Sequence, residues 1–103
     1  MADVPLRIVE GQALSARQKK DLLNRLARIE GQLRGVQKLI ALADAPSDCD
    51  AVAQQMSAAR KALDRSFVQL LTASLVTQTG DATDVDDARG RAARVAALLD
   101  KFA

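Results

Sequence analysis

The sequence predicts an all-α fold, a three-helix protomer whose two long helices form an antiparallel hairpin. Three observations carry that expectation. Apolar residues recur at heptad spacing along three segments, breaks rich in Pro, Gly and Asp separate those segments, and no stretch alternates as a strand does. The chain has 103 residues, one domain's worth, and Phe67 and Phe102 are its only aromatic residues. Aromatics usually supply much of a small core's buried area. Ala, Leu and Val must supply it here, which they do best along extended helix seams. A chain this short buries a modest fraction of its surface, so the helices are expected to need partner subunits.

Residues 1–14 show no sustained period and are interrupted by Pro5 and Gly11. They read as a flexible N-terminal arm, followed by a helical domain over 15–103. Ser15 is a good N-cap for the first helix. Leu22, Leu26, Ile29, Leu33, Val36 and Ile40 then follow at spacings of 4, 3, 4, 3 and 4, a regular seam. Ala43 to Asp48 form the first break, because Pro46 cannot continue a helix interior and Ser47 or Asp48 can cap the next one.

The second helix is expected from about Asp48 to Thr77, with Val52, Met56, Ala59, Leu63, Phe67, Leu70 and Leu71 on its apolar side. Thr79 to Thr83 form the second break. The third helix is expected from about Asp84 to Phe102, with a stripe of Ala88, Ala92, Val95, Leu99 and Phe102. Asp84, Asp86 and Asp87 suit its N-terminus and read as capping rather than as a site for a hard cation. A long hairpin plus one short helix leaves apolar stripes open, and paired hairpins close such stripes as a four-helix bundle.

The net charge of +2 conceals an asymmetry. Between Ser15 and Ile40 lie Arg17, Lys19, Lys20, Arg25, Arg28, Arg34 and Lys38 against Asp21 and Glu30, a local charge of +5; the rest of the chain carries −3. A basic helix face of this kind is either a solvated surface or a polyanion-binding face, and oligomerisation multiplies its charge. The loop between the long helices is wrong for a helix-turn-helix.

The chain has no histidine, no paired-cysteine metal spacing and no phosphate-binding glycine loop. Nothing groups its carboxylates and lysines into an acid–base pair, so an enzyme is not expected, and no cofactor is implied. Cys49 is the single cysteine, which rules out an intrachain disulfide and suits a reducing compartment. No run is long enough to span a membrane and the N-terminus lacks a signal-peptide pattern, so the expected location is cytoplasmic. Cys49 itself has two readings. It is a small buried hydrophobe in register with Val52 and Met56, or a thiol activated by a helix N-terminus and opposed by Asp48 and Asp50.

Three blocks of residues, in order, resemble the CsoR/RcnR family of copper-sensitive operon repressors and their relatives. They are Leu23 to Gly35 (LNRLARIEGQLRG), Asp48-Cys49-Asp50, and Gln54 to Asp64 (QQMSAARKALD). The resemblance spans about Lys20 to Leu75. It implies a three-helix protomer, an antiparallel four-helix-bundle dimer and a dimer-of-dimers tetramer. It also implies repression by binding double-stranded operator DNA until a small-molecule inducer or thiol modification weakens the complex. On this resemblance the DNA contacts are Arg25 and Arg60, supported by Lys20, Arg28 and Lys61.

The resemblance also shows a departure. Copper-sensing members pair a Cys at the start of the second helix with a His and a Cys near its end on another subunit. Those positions are Cys49, Ser74 and Gln78 here. Ser74 lies 25 residues beyond Cys49, so on one helix the two share a face but stand about 37 Å apart. Only an antiparallel partner brings them together. One thiolate, one hydroxyl and one amide make a poor Cu(I) site, and nickel or cobalt sensing, His-rich in this family, is excluded more firmly. Formaldehyde-sensing relatives pair this Cys with an N-terminal proline amine, whereas Pro5 is not terminal. Persulfide-sensing relatives use the second Cys, replaced by Gln78. The leading expectation is a repressor whose inducer-sensing residues are Cys49, Ser74 and Gln78, released by a thiol-reactive electrophile or oxidant. The alternatives are a metal-responsive repressor with a non-standard site, Cys49 being the only candidate ligand, and a helical interaction protein that has lost sensing.

Overall fold

The computed structural model describes residues 11–102. It contains α1 (Ala16–Leu42), α2 (Asp48–Gly80) and α3 (Val85–Phe102), with no strand among the described residues. Of the arm expected over 1–14, residues 1–10, including Pro5, lie outside the described residues. The chain forms two compact units, one spanning Lys20–Val68 and one comprising the described residues on either side of it.

The start of α1 is a reciprocal cap. Ser15 Oγ accepts from the Gln18 N–H at 3.1 Å, and Gln18 Oε1 accepts from the Ser15 N–H at 2.7 Å. Gln18 also ties this turn to α2, accepting from Thr77 Oγ1 at 2.7 Å and donating from Nε2 to the Ala73 carbonyl at 3.4 Å. Replacing Ser15 with Ala is expected to cost about 1 kcal/mol of stability, read as a lowered denaturant midpoint; an unchanged midpoint would show the cap to be inert.

Within the Lys20–Val68 unit, α1 and α2 run antiparallel. Arg25 and Arg28 share a groove with Ala62 and Arg65, and Gln32 shares one with Gln54 and Ala58, so rising position on α1 meets falling position on α2. The predicted seam on α1 splits into two rows. Leu22, Ile29 and Val36, seven residues apart, are buried. Leu26, Leu33 and Ile40, the alternate row, are exposed. On the part of α2 in this unit the buried positions are the small residues Ala59 and Ser66, also seven apart; the Ser66 hydroxyl donates to the Ala62 carbonyl. Met56 and Leu63 form the exposed row. On α1, one protomer thus buries three of the six predicted seam residues.

The loop between these helices is closed by Asp48. Its carboxylate accepts from the N–H groups of Asp44 and Ala45, both at 3.0 Å, rather than capping the first N–H groups of α2. Those two bonds, the Asp44 one foremost, hold the Asp48 carboxyl below its ordinary value. The Thr83 N–H, aided by Arg91, does the same for Asp87. Both carboxylates therefore favour the fold at neutral pH, and that contribution disappears as the pH falls through their lowered values.

In the second unit, α2 runs on to Gly80, three residues past the expected end. The Asp81 N–H still bonds the Thr77 carbonyl, and Gly80 keeps a negative φ, so it continues the helix instead of ending it. Gly11 is the position where glycine matters. Its φ is +102°, a conformation that side-chain-bearing residues rarely adopt. The neighbouring Gln12 N–H then reaches Asp81 Oδ2 at 3.3 Å.

The acidic start of α3 is a capping arrangement, as expected. Asp84 Oδ1 accepts from the Asp87 N–H at 2.8 Å, and Asp87 Oδ2 accepts from the Thr83 N–H at 3.0 Å. The buried face of α3 differs from the predicted stripe. Val95 is buried and Ala88 and Ala92 are half-buried, but Leu99 and Phe102 are exposed. Arg91 is buried instead, at the four-residue spacing from Val95 that marks one helix face. Its charge is matched by Asp87 at 3.1 Å, and Nη1 donates to the Gln78 carbonyl at 3.4 Å, fixing α3 on α2. A heptad count from apolar residues alone passes over a paired arginine.

Candidate functional site

Two grooves open between α1 and α2 in the Lys20–Val68 unit. One, of about 290 Å³, is lined by Arg25, Arg28, Ile29, Gln32, Ala62, Arg65 and Ser66. The other, of about 470 Å³, is lined by Gln32, Gln54, Ser57, Ala58, Lys61, Ala62 and Arg65. No carboxylate lines either groove, and no described carboxylate forms an ion pair with Arg25, Arg28, Lys61 or Arg65. Unpaired cations beside amide and hydroxyl groups suit a phosphate backbone.

Of the expected DNA contacts, the structure gathers Arg25, Arg28 and Lys61. Lys20 and Arg60 are exposed and line neither groove. Arg65 was not singled out from the sequence, although its spacing of four from Lys61 on α2 places both on one helix face. It lines both grooves and so links the α1 arginines to Lys61.

Cys49 occupies the first turn of α2 between Asp48 and Asp50 and is exposed. The reading of this thiol as a small buried hydrophobe therefore does not hold within the protomer. Ser74 and Gln78 lie together near the other end of the same helix, where Gln78 Nε2 donates to Ser74 Oγ. Both line a cavity of about 300 Å³ in the second unit, with Leu70, Leu71, Arg94 and Leu98 among its walls. Gln78 is only 6% exposed. Its Oε1 and the Nε of Arg94 are buried without hydrogen-bond partners. Arg94 was missed at the sequence level, since an arginine inside an alanine-rich run reads as solvent-facing.

A family model described as "Metal-sensitive transcriptional repressor" matches residues 18–102. The chain belongs to that family. It is a family of transcriptional repressors and not of enzymes, and membership implies operator DNA as a partner. No curated protein and no solved structure matches the chain. No helix among the described residues is long and apolar enough to cross a membrane.

The family's description raises the question of a metal. The donors at the corresponding positions of this repressor are one thiol, one hydroxyl and one amide, and the hydroxyl and amide are already engaged with each other. The chain has no imidazole, and no described group of three His, Cys, Asp or Glu side chains comes together. Soft ions such as Cu(I) select thiolate and imidazole. The residues present do not fit such a metal.

Proposed function

We propose that this repressor works as an oligomer, a homodimer or a dimer-of-dimers homotetramer in the cytoplasm, and is released from its operator by a thiol-reactive inducer at Cys49. The observation that carries this reading is the split heptad pattern. A row of large apolar side chains on each long helix lies outside the protomer's own core. A second copy of the chain, carrying the same rows, is the self-complementary occupant. In an antiparallel pairing the row on one α2 meets the row on another, and Cys49 of one protomer approaches the Ser74–Gln78 pair of the next.

The DNA-binding surface is the α1–α2 face with Arg25, Arg28, Lys61 and Arg65, flanked by Lys20 and Arg60. In a tetramer this face is repeated four times, which supports strong, salt-sensitive binding. Sequence choice then rests on a few arginine contacts and on DNA shape. The exposed, metal-poor setting of Cys49 supports an electrophile or oxidant, such as formaldehyde or a reactive sulfur species, as the inducer class. Modification of the thiol at the protomer seam shifts the assembly towards a state with weaker DNA affinity.

A gel-shift series with wild-type and Cys49→Ala protein tests this. The wild-type operator complex is expected to dissociate on treatment with formaldehyde or a persulfide donor, while the Cys49→Ala complex stays intact. Equal release of both by the same reagent would remove Cys49 as the sensor.

A further inference from the structure

We propose that the outer face of α1 seats the sugar–phosphate backbone of duplex DNA in a notch formed by Gly31 and Gly35. Lys20, Asn24, Ala27, Gly31, Arg34 and Lys38 follow one another at spacings of 4, 3, 4, 3 and 4. Each stands two residues before a member of the apolar seam, so the stripe lies about 200° round the helix from it. All six residues are exposed. The stripe points away from α2 and from the outer apolar row proposed to meet a second copy.

Nothing in the protomer's packing calls for Gly31 or Gly35. Neither has the positive φ that favours glycine, and a β-carbon at either position would have no neighbour within 4 Å. A glycine inside a helix weakens it relative to alanine. Two of them four residues apart leave bare backbone on one face, where another molecule can come close. Gly90 on α3 is equally open, so open space alone assigns nothing. The difference lies in the surrounding charge. Asp86 and Asp87 precede Gly90 by one turn, whereas Arg28, Arg34 and Lys38 surround Gly31 and Gly35. Asp21 and Glu30, the only carboxylates of α1, occupy no position of the stripe. No described carboxylate pairs with Lys20, Arg28, Arg34 or Lys38.

That charge names the partner. A second copy seated here would bring like charges together, which costs free energy. Duplex DNA gains instead, because its backbone is a ridge of phosphates that cations on both sides of a notch neutralise. Phosphate contacts fix position and carry no sequence information themselves. The notch therefore sets how closely α1 lies on DNA, while base reading stays with the α1–α2 grooves. The DNA surface then extends from those grooves round to the outside of α1. This inference rests on the repressor reading for the identity of its partner.

The test uses full-length protein and a duplex from upstream of its own gene, by anisotropy across a salt series. Sedimentation and melting curves are recorded on the same samples. Gly31→Ala with Gly35→Ala keeps every cation and adds only two methyl groups. The double variant is expected to melt several degrees higher than the wild type, as a better helix former does. Its DNA affinity is expected to fall about fivefold or more, because the added methyl groups hold the ridge off. Gly31→Leu and Gly35→Leu intrude further and are expected to weaken binding by more, whereas Gly90→Leu leaves it unchanged. Lys38→Gln is expected to lower the salt slope by about one unit. Equal affinity of the wild type and the folded double-alanine variant would overturn the proposal, and so would an equal loss in Gly90→Leu. An unchanged salt slope in Lys38→Gln would do the same. An altered particle mass in the glycine variants would also overturn it, by placing a second copy on this face. A wild type that binds no duplex at low salt would instead remove the repressor reading, and this proposal with it.

Discussion

Replacing Leu33 and Leu63 together with lysine is expected to leave the chain as monomers with little operator affinity. Both side chains belong to the exposed rows of α1 and α2, at 48% and 50% exposure in the protomer. If a second copy covers these rows, each leucine contributes roughly 1–3 kcal/mol by burial. A lysine in the same place adds the cost of a desolvated charge, several kcal/mol without a partner. Two such changes per protomer, repeated across a symmetric seam, exceed the stability that a typical assembly of small helical chains holds in reserve. The inner rows, Leu22, Ile29 and Val36 with Ala59 and Ser66, are untouched, so helix content is expected to persist. Sedimentation should show the drop in mass, and the melting temperature should lose its dependence on protein concentration. Operator affinity is expected to fall by about a hundredfold or more, because each particle then brings fewer cations to the phosphate backbone. An unchanged assembly in the double variant would show that these rows are not the seam.

The second large effect is expected at the basic grooves. Arg28→Ala with Arg65→Ala removes one arginine from each helix of the face and leaves Arg25 and Lys61. Each loss is expected to cost about 1–3 kcal/mol where the guanidinium reads a base edge. Where it meets only a phosphate, the loss is smaller and lowers the salt slope by about one unit per contact. Neither side chain is buried or paired with a described carboxylate, so the fold should melt as the wild type does. Lys20→Ala and Arg60→Ala, which lie outside both grooves, are expected to act more weakly. Fluorescence anisotropy on one operator duplex ranks all four substitutions. A larger loss at Arg60 than at Arg65 would move the DNA-binding surface to another side of α2.

The helices themselves were legible from residue type. Heptad spacing places all three, Ser15 caps the first, and Asp84 caps the third as its position suggests. Spacing could not show which half of the seam a single chain buries. Leu26 and Ile29 look alike in a heptad count, and only the small side chains of Ala59 and Ser66 mark where α2 approaches α1. Charged residues on inward faces were the least legible. Arg91 and Arg94 stand beside alanines; Arg91 is buried where it reaches the Gln78 carbonyl of α2, and Arg94 is half-buried beside the cavity, neither of which an apolar count shows. The residues proposed to sense the inducer were legible only as positions. Ser74 and Gln78 are four apart on α2 and hydrogen-bonded to each other, but the cavity beside them depends on α3, which spacing does not show.

The most direct measurement is binding of the purified chain to duplex DNA from upstream of its own gene, by anisotropy across a salt series. Tight binding by a multi-protomer particle is expected, with log affinity falling linearly and steeply against log salt, as for many phosphate contacts made at once. No saturable binding to that duplex at low salt, or binding by a monomer with a shallow salt slope, would contradict an oligomeric operator-binding repressor.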